Sequence, residues 1–418
     1  MKKSIILITT FIILNLFAFF ILNEQAFRVS WLLAGTAFGI IAIALTVLVI
    51  LLFVKFIFIF IPSSSHLLNR IIGKTLIVLT LFIGLLIAQI ALSEVYVTTT
   101  DEGDNNFFET IEVNGTDQSL FVRTKNLENP VILFLAGGPG GSQIPATSRF
   151  LRDLEDTYTV VHWEQPGVGK SYNARPIDSL AKDIYLEDAI AVTKYLKDTY
   201  NQNKIYIIGE SWGSFLAVEL AKSNPEYYYA ILTTGQMVDF VETELYCYDK
   251  ALEIAQENND QRQIDALEKL DVPITGGNIT LEAGTYLQYL HMAMERHEDI
   301  THPDYSTFDL LFSPEYSIMD SLNYLRGVYF TFSHVYQQLY GIDLRKTSIT
   351  LDVPIYIIQG KYDYNAPVYL AEDYYNQLTA PDKEFIIFNH SGHNPWINQS
   401  DLFNDTVKSL LTQHIEHQ

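Results

Sequence analysis

Ser211 sits in the run Gly209-Glu210-Ser211-Trp212-Gly213, where a serine can act as a nucleophile. The run before it, Lys204 to Ile208, is apolar and β-branched and reads as a buried strand. The run after it, Ser214 to Lys222, reads as a helix. Gly-x-Ser-x-Gly between strand and helix predicts a sharp elbow that lifts the hydroxyl above the sheet edge. A serine hydroxyl is a poor nucleophile at neutral pH, so it needs a general base, and the base needs a carboxylate to orient it. On such an elbow the acid and then the base follow the serine in chain order, each just after a later strand. Asp363 follows the strand-like run Ile355 to Gln359, and His393 follows Phe385 to Phe388. Asp363 also has the neighbours of a turn residue. His390 competes with His393, whose preceding Gly392 would let the ring swing over the sheet edge.

Attack on a carbonyl also requires backbone N–H donors for the oxyanion. One is expected from Trp212, directly after the nucleophile. The other is expected from the loop Ala136 to Ser142, whose glycines follow the apolar run Val131 to Leu135.

The elements that must position these groups alternate between strand-like and helix-like runs, which predicts an α/β fold with a largely parallel sheet. Strands are expected at Phe107 to Val113, Ser119 to Arg123, Val131 to Leu135 and Tyr158 to Trp163. Four more are expected at Ile205 to Ile208, Ala230 to Thr233, Ile355 to Gln359 and Phe385 to Phe388. Apolar residues between Ser179 and Tyr200 recur at helical spacing. From 236 to 346 the strand pattern stops and a tyrosine-rich, helix-like stretch reads as an inserted lid. The core is then expected in two parts, 93–235 and 347–418.

Three apolar runs precede the core, about Ser4 to Leu22, Trp31 to Phe60 and Thr75 to Leu92. Each approaches or exceeds the ~20 residues that cross a bilayer core. Residues 1–92 are therefore expected to form a membrane anchor of three transmembrane helices. Lys2 and Lys3 precede the first span, and Lys55, Arg70 and Lys74 lie between the second and third. The excess of cations in these segments places them in the cytoplasm and the catalytic domain outside the cell.

The formal net charge is −22, with 49 acidic against 27 basic residues. That balance disfavours nucleic acid and anionic headgroups and suits cationic ligands or plain solubility. Cys247 is the single cysteine, so no intrachain disulfide can form. Gly169-Lys170-Ser171 lacks the upstream glycine of a phosphate loop, and His297-Glu298 lacks the second histidine of a zinc helix.

Gly137-Gly138-Pro139-Gly140-Gly141, Trp163-Glu164-Gln165-Pro166-Gly167-Val168-Gly169-Lys170-Ser171 and Gly-Glu-Ser-Trp-Gly together resemble the proline iminopeptidase branch of the α/β-hydrolases. The resemblance runs from about Phe107 to the C-terminus and is weakest in the lid. It implies an α/β-hydrolase fold, with a mostly parallel eight-stranded sheet, flanking helices and a helical lid. It implies Ser211 as nucleophile, Asp363 as acid, His393 as base, and Gly138 with Trp212 as oxyanion donors. It also implies release of an N-terminal residue, often proline, from small peptides, without metal or cofactor. Ala136 stands where that pattern has His, and Glu164 where it has Asp. Family members hold the substrate's ammonium with lid glutamates; Glu242 and Glu244 are candidates by placement, with solvated helix charges as the other reading. An esterase or other amide hydrolase would use the same triad, and a membrane-anchored binding protein could keep the fold without the activity.

Overall fold

The computed structural model describes residues 105–272, 279–302, 304, 309–310 and 313–415. The expected anchor, residues 1–92, lies outside them; among the described residues no helix is long and apolar enough to cross a membrane.

Eight strands form one sheet among the described residues: β1 Asn105–Val113, β2 Thr116–Thr124, β3 Val131–Leu135, β4 Thr159–Glu164, β5 Ile205–Glu210, β6 Tyr228–Thr234, β7 Ile355–Gly360 and β8 Lys383–Phe388. Their spatial order is β1-β2-β4-β3-β5-β6-β7-β8. Pairing is antiparallel for β1 with β2 and β2 with β4, and parallel from β4 through β8.

The central strands read as continuous apolar runs because both faces of the sheet are covered. Alternate residues of one strand enter different cores. Leu133, Ile207 and Ile357 pack on one face with Leu216, Val192 and Phe240. Phe134, Ile208 and Ile358 pack on the other with Trp396, Phe403 and Val407. The helices bringing these residues are α1 Ile144–Phe150, α2 Lys182–Thr199, α3 Trp212–Ser223, α4 Phe240–Glu257, α5 Gln261–Leu267 and α6 Ile279–Glu295, then α7 Ile318–Arg326, α8 Phe332–Tyr336, α9 Leu344–Thr347, α10 Val368–Gln377, α11 Pro395–Asn398 and α12 Ser400–Ile415.

The chain runs from β3 outward to β4 and then returns to the other side of β3 for β5. Such a reversal opens a crevice beyond the carboxyl ends of the two strands. The loop after β3 and the turn after β5 are therefore neighbours, and Leu135 pairs with Gly209 at the last rung.

Helices α4 to α9 fall between β6 and β7 and form an insert. Its two ends meet in a neck. Asp239 and Asp343 form an antiparallel bridge, the Phe240 amide donates to Ile342, and the Leu344 amide donates to Val238. The Arg345 guanidinium then reaches Asp239, Glu242, Asp343 and Asp373.

Candidate active site

Ser211 is the last residue before α3, and its backbone has φ 54° and ψ −118°. A non-glycine residue in that region is strained, and the surrounding packing has to hold it there. Its amide donates to Thr234 of β6 at 2.9 Å. The flanking glycines are required by close approach. A Cβ on Gly213 would lie 1.9 Å from the Leu135 carbonyl oxygen, and one on Gly209 would lie 2.4 Å from that of Gly213. The helix begins at Trp212, two residues before the apolar pattern predicts, so its first turn starts directly behind the hydroxyl.

The loop after β3 wraps against this elbow. Its Gly137 amide donates to Glu210 Oε2 at 2.6 Å. Gln165, just past β4, ties the two sides together: its amide nitrogen donates to the Ala136 carbonyl at 3.1 Å, and its Oε1 accepts from Trp212 Nε1 at 3.0 Å. Gly138 lies inside the loop, wound tightly enough that a Cβ there would meet the Gly140 and Gly141 nitrogens below 3 Å. Gly138 and Trp212 thus lie on two neighbouring, tethered segments.

Asp363 follows β7, fully shielded from solvent. Its Oδ1 accepts from the Asn365 and Ala366 amides at 2.9 and 2.8 Å, and its Oδ2 from Gln359 Nε2 at 2.8 Å. The turn chemistry of its neighbours therefore fixes the carboxylate and leaves it facing His393. The His393 Nδ1 lies 3.0 Å from each Asp363 oxygen. A Cβ on Gly235, at the end of β6, would come within 2.8 Å of the His393 ring, so the glycine makes room for the imidazole. His390 lies on the surface, with Nδ1 3.0 Å from the Asp299 carbonyl oxygen.

His393 also faces two further acids that the sequence reading did not assign. Glu210 Oε1 lies 3.8 Å from its Nε2, and Asp304 contributes to the field around the ring. Asp304 is held by Asn394 and Asn398 at 3.1 and 2.9 Å, with His291 at 3.6 Å. Burial alone would lower the His393 pKa, but the charge and hydrogen bond of Asp363, with Glu210 and Asp304 behind it, hold it up at about 9. Burial raises the pKa of Glu210, offset in part by His393 and the Gly137 N–H. Burial raises that of Asp304 too, against His291, Asn394 and His393.

Glu242 and Glu244, the sequence candidates for holding the substrate's ammonium, each have a partner within the protein. Glu242 sits in the first turn of α4 and pairs with Arg345 at 2.7 Å. Glu244 is buried two residues on and accepts from the Tyr286 hydroxyl at 2.8 Å. Cys247 is buried on the same helix, its thiol directed at the Tyr364 and Asn365 carbonyls at 3.3 and 3.5 Å.

A buried histidine against a carboxylate, beside a strained serine turn and a glycine loop at the switch of a parallel sheet, defines an α/β-hydrolase. Known proteins agree on that class. The family described as alpha/beta hydrolase fold matches residues 130–253. The probable aminopeptidase YbaC of Bacillus subtilis (strain 168) is 29% identical over 310 residues, covering 73% of this chain and 96% of that protein. The proline iminopeptidase of Neisseria meningitidis serogroup A is 27% identical over 125 residues, which span 30% of this chain and 38% of the relative. The crystal structure of a proline iminopeptidase from Mycobacterium smegmatis superposes with a TM-score of 0.55 at 18% identity, over 73% of this chain and 98% of that one. The chain has an α/β-hydrolase fold and is a serine hydrolase, with aminopeptidases and proline iminopeptidases among its relatives.

Proposed function

We propose that this protein is a membrane-tethered aminopeptidase that releases an N-terminal proline, or another small or apolar residue, from short peptides. The observation that carries the reading is the charge around His393. Three carboxylates with shielded side chains, Asp363, Glu210 and Asp304, surround the His393 imidazole, and the partly exposed His291 is the second base beside Asp304. Buried anions in excess of cations are unfavourable unless a counter-charge arrives. The free ammonium of a peptide supplies that charge, and a neutral ester does not. This reading assigns Glu210 and Asp304 to receive it, with Glu242 and Glu244 as the sequence's own candidates. The aminopeptidase names of the relatives point the same way.

In this mechanism His393 Nε2 takes the Ser211 proton as Oγ attacks the carbonyl of the N-terminal residue. Asp363 keeps Nδ1 protonated and stabilises the imidazolium. The Gly138 and Trp212 amides hold the oxyanion. His393 then gives its proton to the leaving amine, and water activated by the same ring hydrolyses the acyl-enzyme. The helical insert, residues 236–346, acts as the lid that keeps internal peptide segments out. The anchor, residues 1–92, holds the catalytic domain at the outer surface of the cell membrane.

Proline arylamide, its N-acetylated counterpart and a short acyl ester distinguish the readings. The free arylamide should be cleaved and the acetylated one left intact. Cleavage of the ester with neither arylamide touched would replace the aminopeptidase by an esterase. Protease treatment of intact cells should digest the C-terminal domain; protection of that domain would reverse the orientation.

A further inference from the structure

Glu164 closes β4 and is fully buried, yet it takes part in none of the chemistry above. Its Oε2 accepts from the Lys170 amide at 2.6 Å. Its Oε1 accepts from the Ser142 hydroxyl at 3.1 Å and also from the Tyr316 hydroxyl. Tyr316 and Ser142 touch each other as well, at 2.6 Å. Oxygens from three segments therefore meet at one point: the end of β4, the end of the glycine loop, and the insert just ahead of α7.

The contact continues through the main chain. A Cβ on Gly140 would lie 2.5 Å from the Gly327 carbonyl oxygen, and one on Gly327 would lie 2.6 Å from that of Gly140. The backbone of the insert thus rests on the backbone of the glycine loop. Around this seat, Asn323 donates to the Gly169 carbonyl at 3.2 Å and Thr331 to that of Gly167 at 2.8 Å. The cation facing the cluster, Lys170, is itself paired with Asp320 of α7 at 2.7 Å.

We propose that Glu164 is a positioning residue, which through Tyr316 and Ser142 makes the alignment of the oxyanion loop depend on the insert being seated. The inference rests on the acyl-transfer reading, because it assigns the Gly138 amide to the oxyanion. Ser142 is four residues from Gly138 in a loop with no slack, so a shift at the hydroxyl moves the amide. Burial pushes the Glu164 carboxyl up to about 7, against the Tyr316, Lys170 and Ser142 hydrogen bonds. Those donors and the Lys170 charge are what offset the cost of burying the acid. A loop displaced in this way loses a contact made in the transition state and keeps ground-state binding, so kcat falls while KM holds.

Tyr316→Phe and Ser142→Ala, singly and together in the full chain, test the coupling. Two readouts apply: the rate of covalent labelling by a fluorophosphonate, and kcat and KM for proline arylamide. Each single variant should lower labelling and kcat about tenfold and leave KM within about twofold, a fraction of the loss from removing an oxyanion donor outright. The double variant should lose no more than the larger single effect, as expected of residues acting as one unit. Glu164→Asp, the shorter acid, should retain more activity than Glu164→Gln. Labelling of Tyr316→Phe at the unmodified rate, additive losses, or a change confined to KM would overturn the proposal. No labelling of the unmodified chain would remove the Ser211 reading, and this inference with it.

Discussion

The carboxyl edge of the sheet and the insert above it are held by different kinds of contact. At the edge, main chain meets main chain: Gly213 against the Leu135 carbonyl, and Gly360 against that of Gly392, where an added Cβ would lie 1.9 Å away in each case. In the insert, side chains share the hold, among them Lys170 with Asp320 and Arg345 with its four acids, beside main-chain contact at Gly327 and at the neck. Strands β3, β5 and β7, which end at that edge, are completely buried, whereas the insert leaves Met319, Leu322, Leu325 and Phe330 exposed. Backbone contact tolerates no added atom, and side-chain contact can be retuned. Changes at the edge should therefore act as all or none, and changes in the insert should be graded.

The largest effect should come from Ser211→Ala, which removes the nucleophile without altering the packing. Turnover should fall by about 10⁴-fold or more, with the melting temperature unchanged. Gly213→Ala should also abolish fluorophosphonate labelling, since the new methyl displaces Leu135 from the elbow; a labelled variant would break the comparison. In the insert, Arg345→Met leaves Asp343 to the exposed Lys346 and takes the shared cation from Asp239 and Glu242, and should lower stability by about 1–3 kcal/mol in chemical denaturation, with kcat retained. Glu210→Gln should raise KM for free arylamides about tenfold, the size expected for losing one charged contact. The same variant has a pH signature. The base must be neutral to act, so kcat/KM climbs with pH toward the His393 value of about 9. Removing the Glu210 charge removes one cause of that elevation, and the limb should move to lower pH. The smallest effect is expected at Leu322→Ser, an exposed position where stability should change by less than about 0.5 kcal/mol.

The sheet was legible because its central strands are covered on both faces and so carry unbroken apolar runs. All eight strands appear where the runs lie; the largest discrepancy is the start of β2, at Thr116 rather than Ser119, and β6 and β8 begin at Tyr228 and Lys383, where tyrosine or charge blurs the edge. Asp363 and His393 could be picked out because each follows such a run. Glu210 was in plain view at the end of β5 and carried a signal that went unused: a carboxylate closing a buried strand has to find a partner. Asp304 had none, since it lies in a loop without periodicity and meets His393 only through the fold. The surroundings of Glu242 and Glu244 were not legible, because their place after β6 does not say which way helix α4 turns them. The first faces Arg345 and the second faces Tyr286.

The bridge of Asp239 with Asp343 brings the two ends of a hundred-residue excursion to a single rung. A segment that departs and returns at one point can be lengthened, shortened or exchanged without shifting the strands beneath it. Selection can then reshape what is admitted while the apparatus that breaks the bond stays as it was.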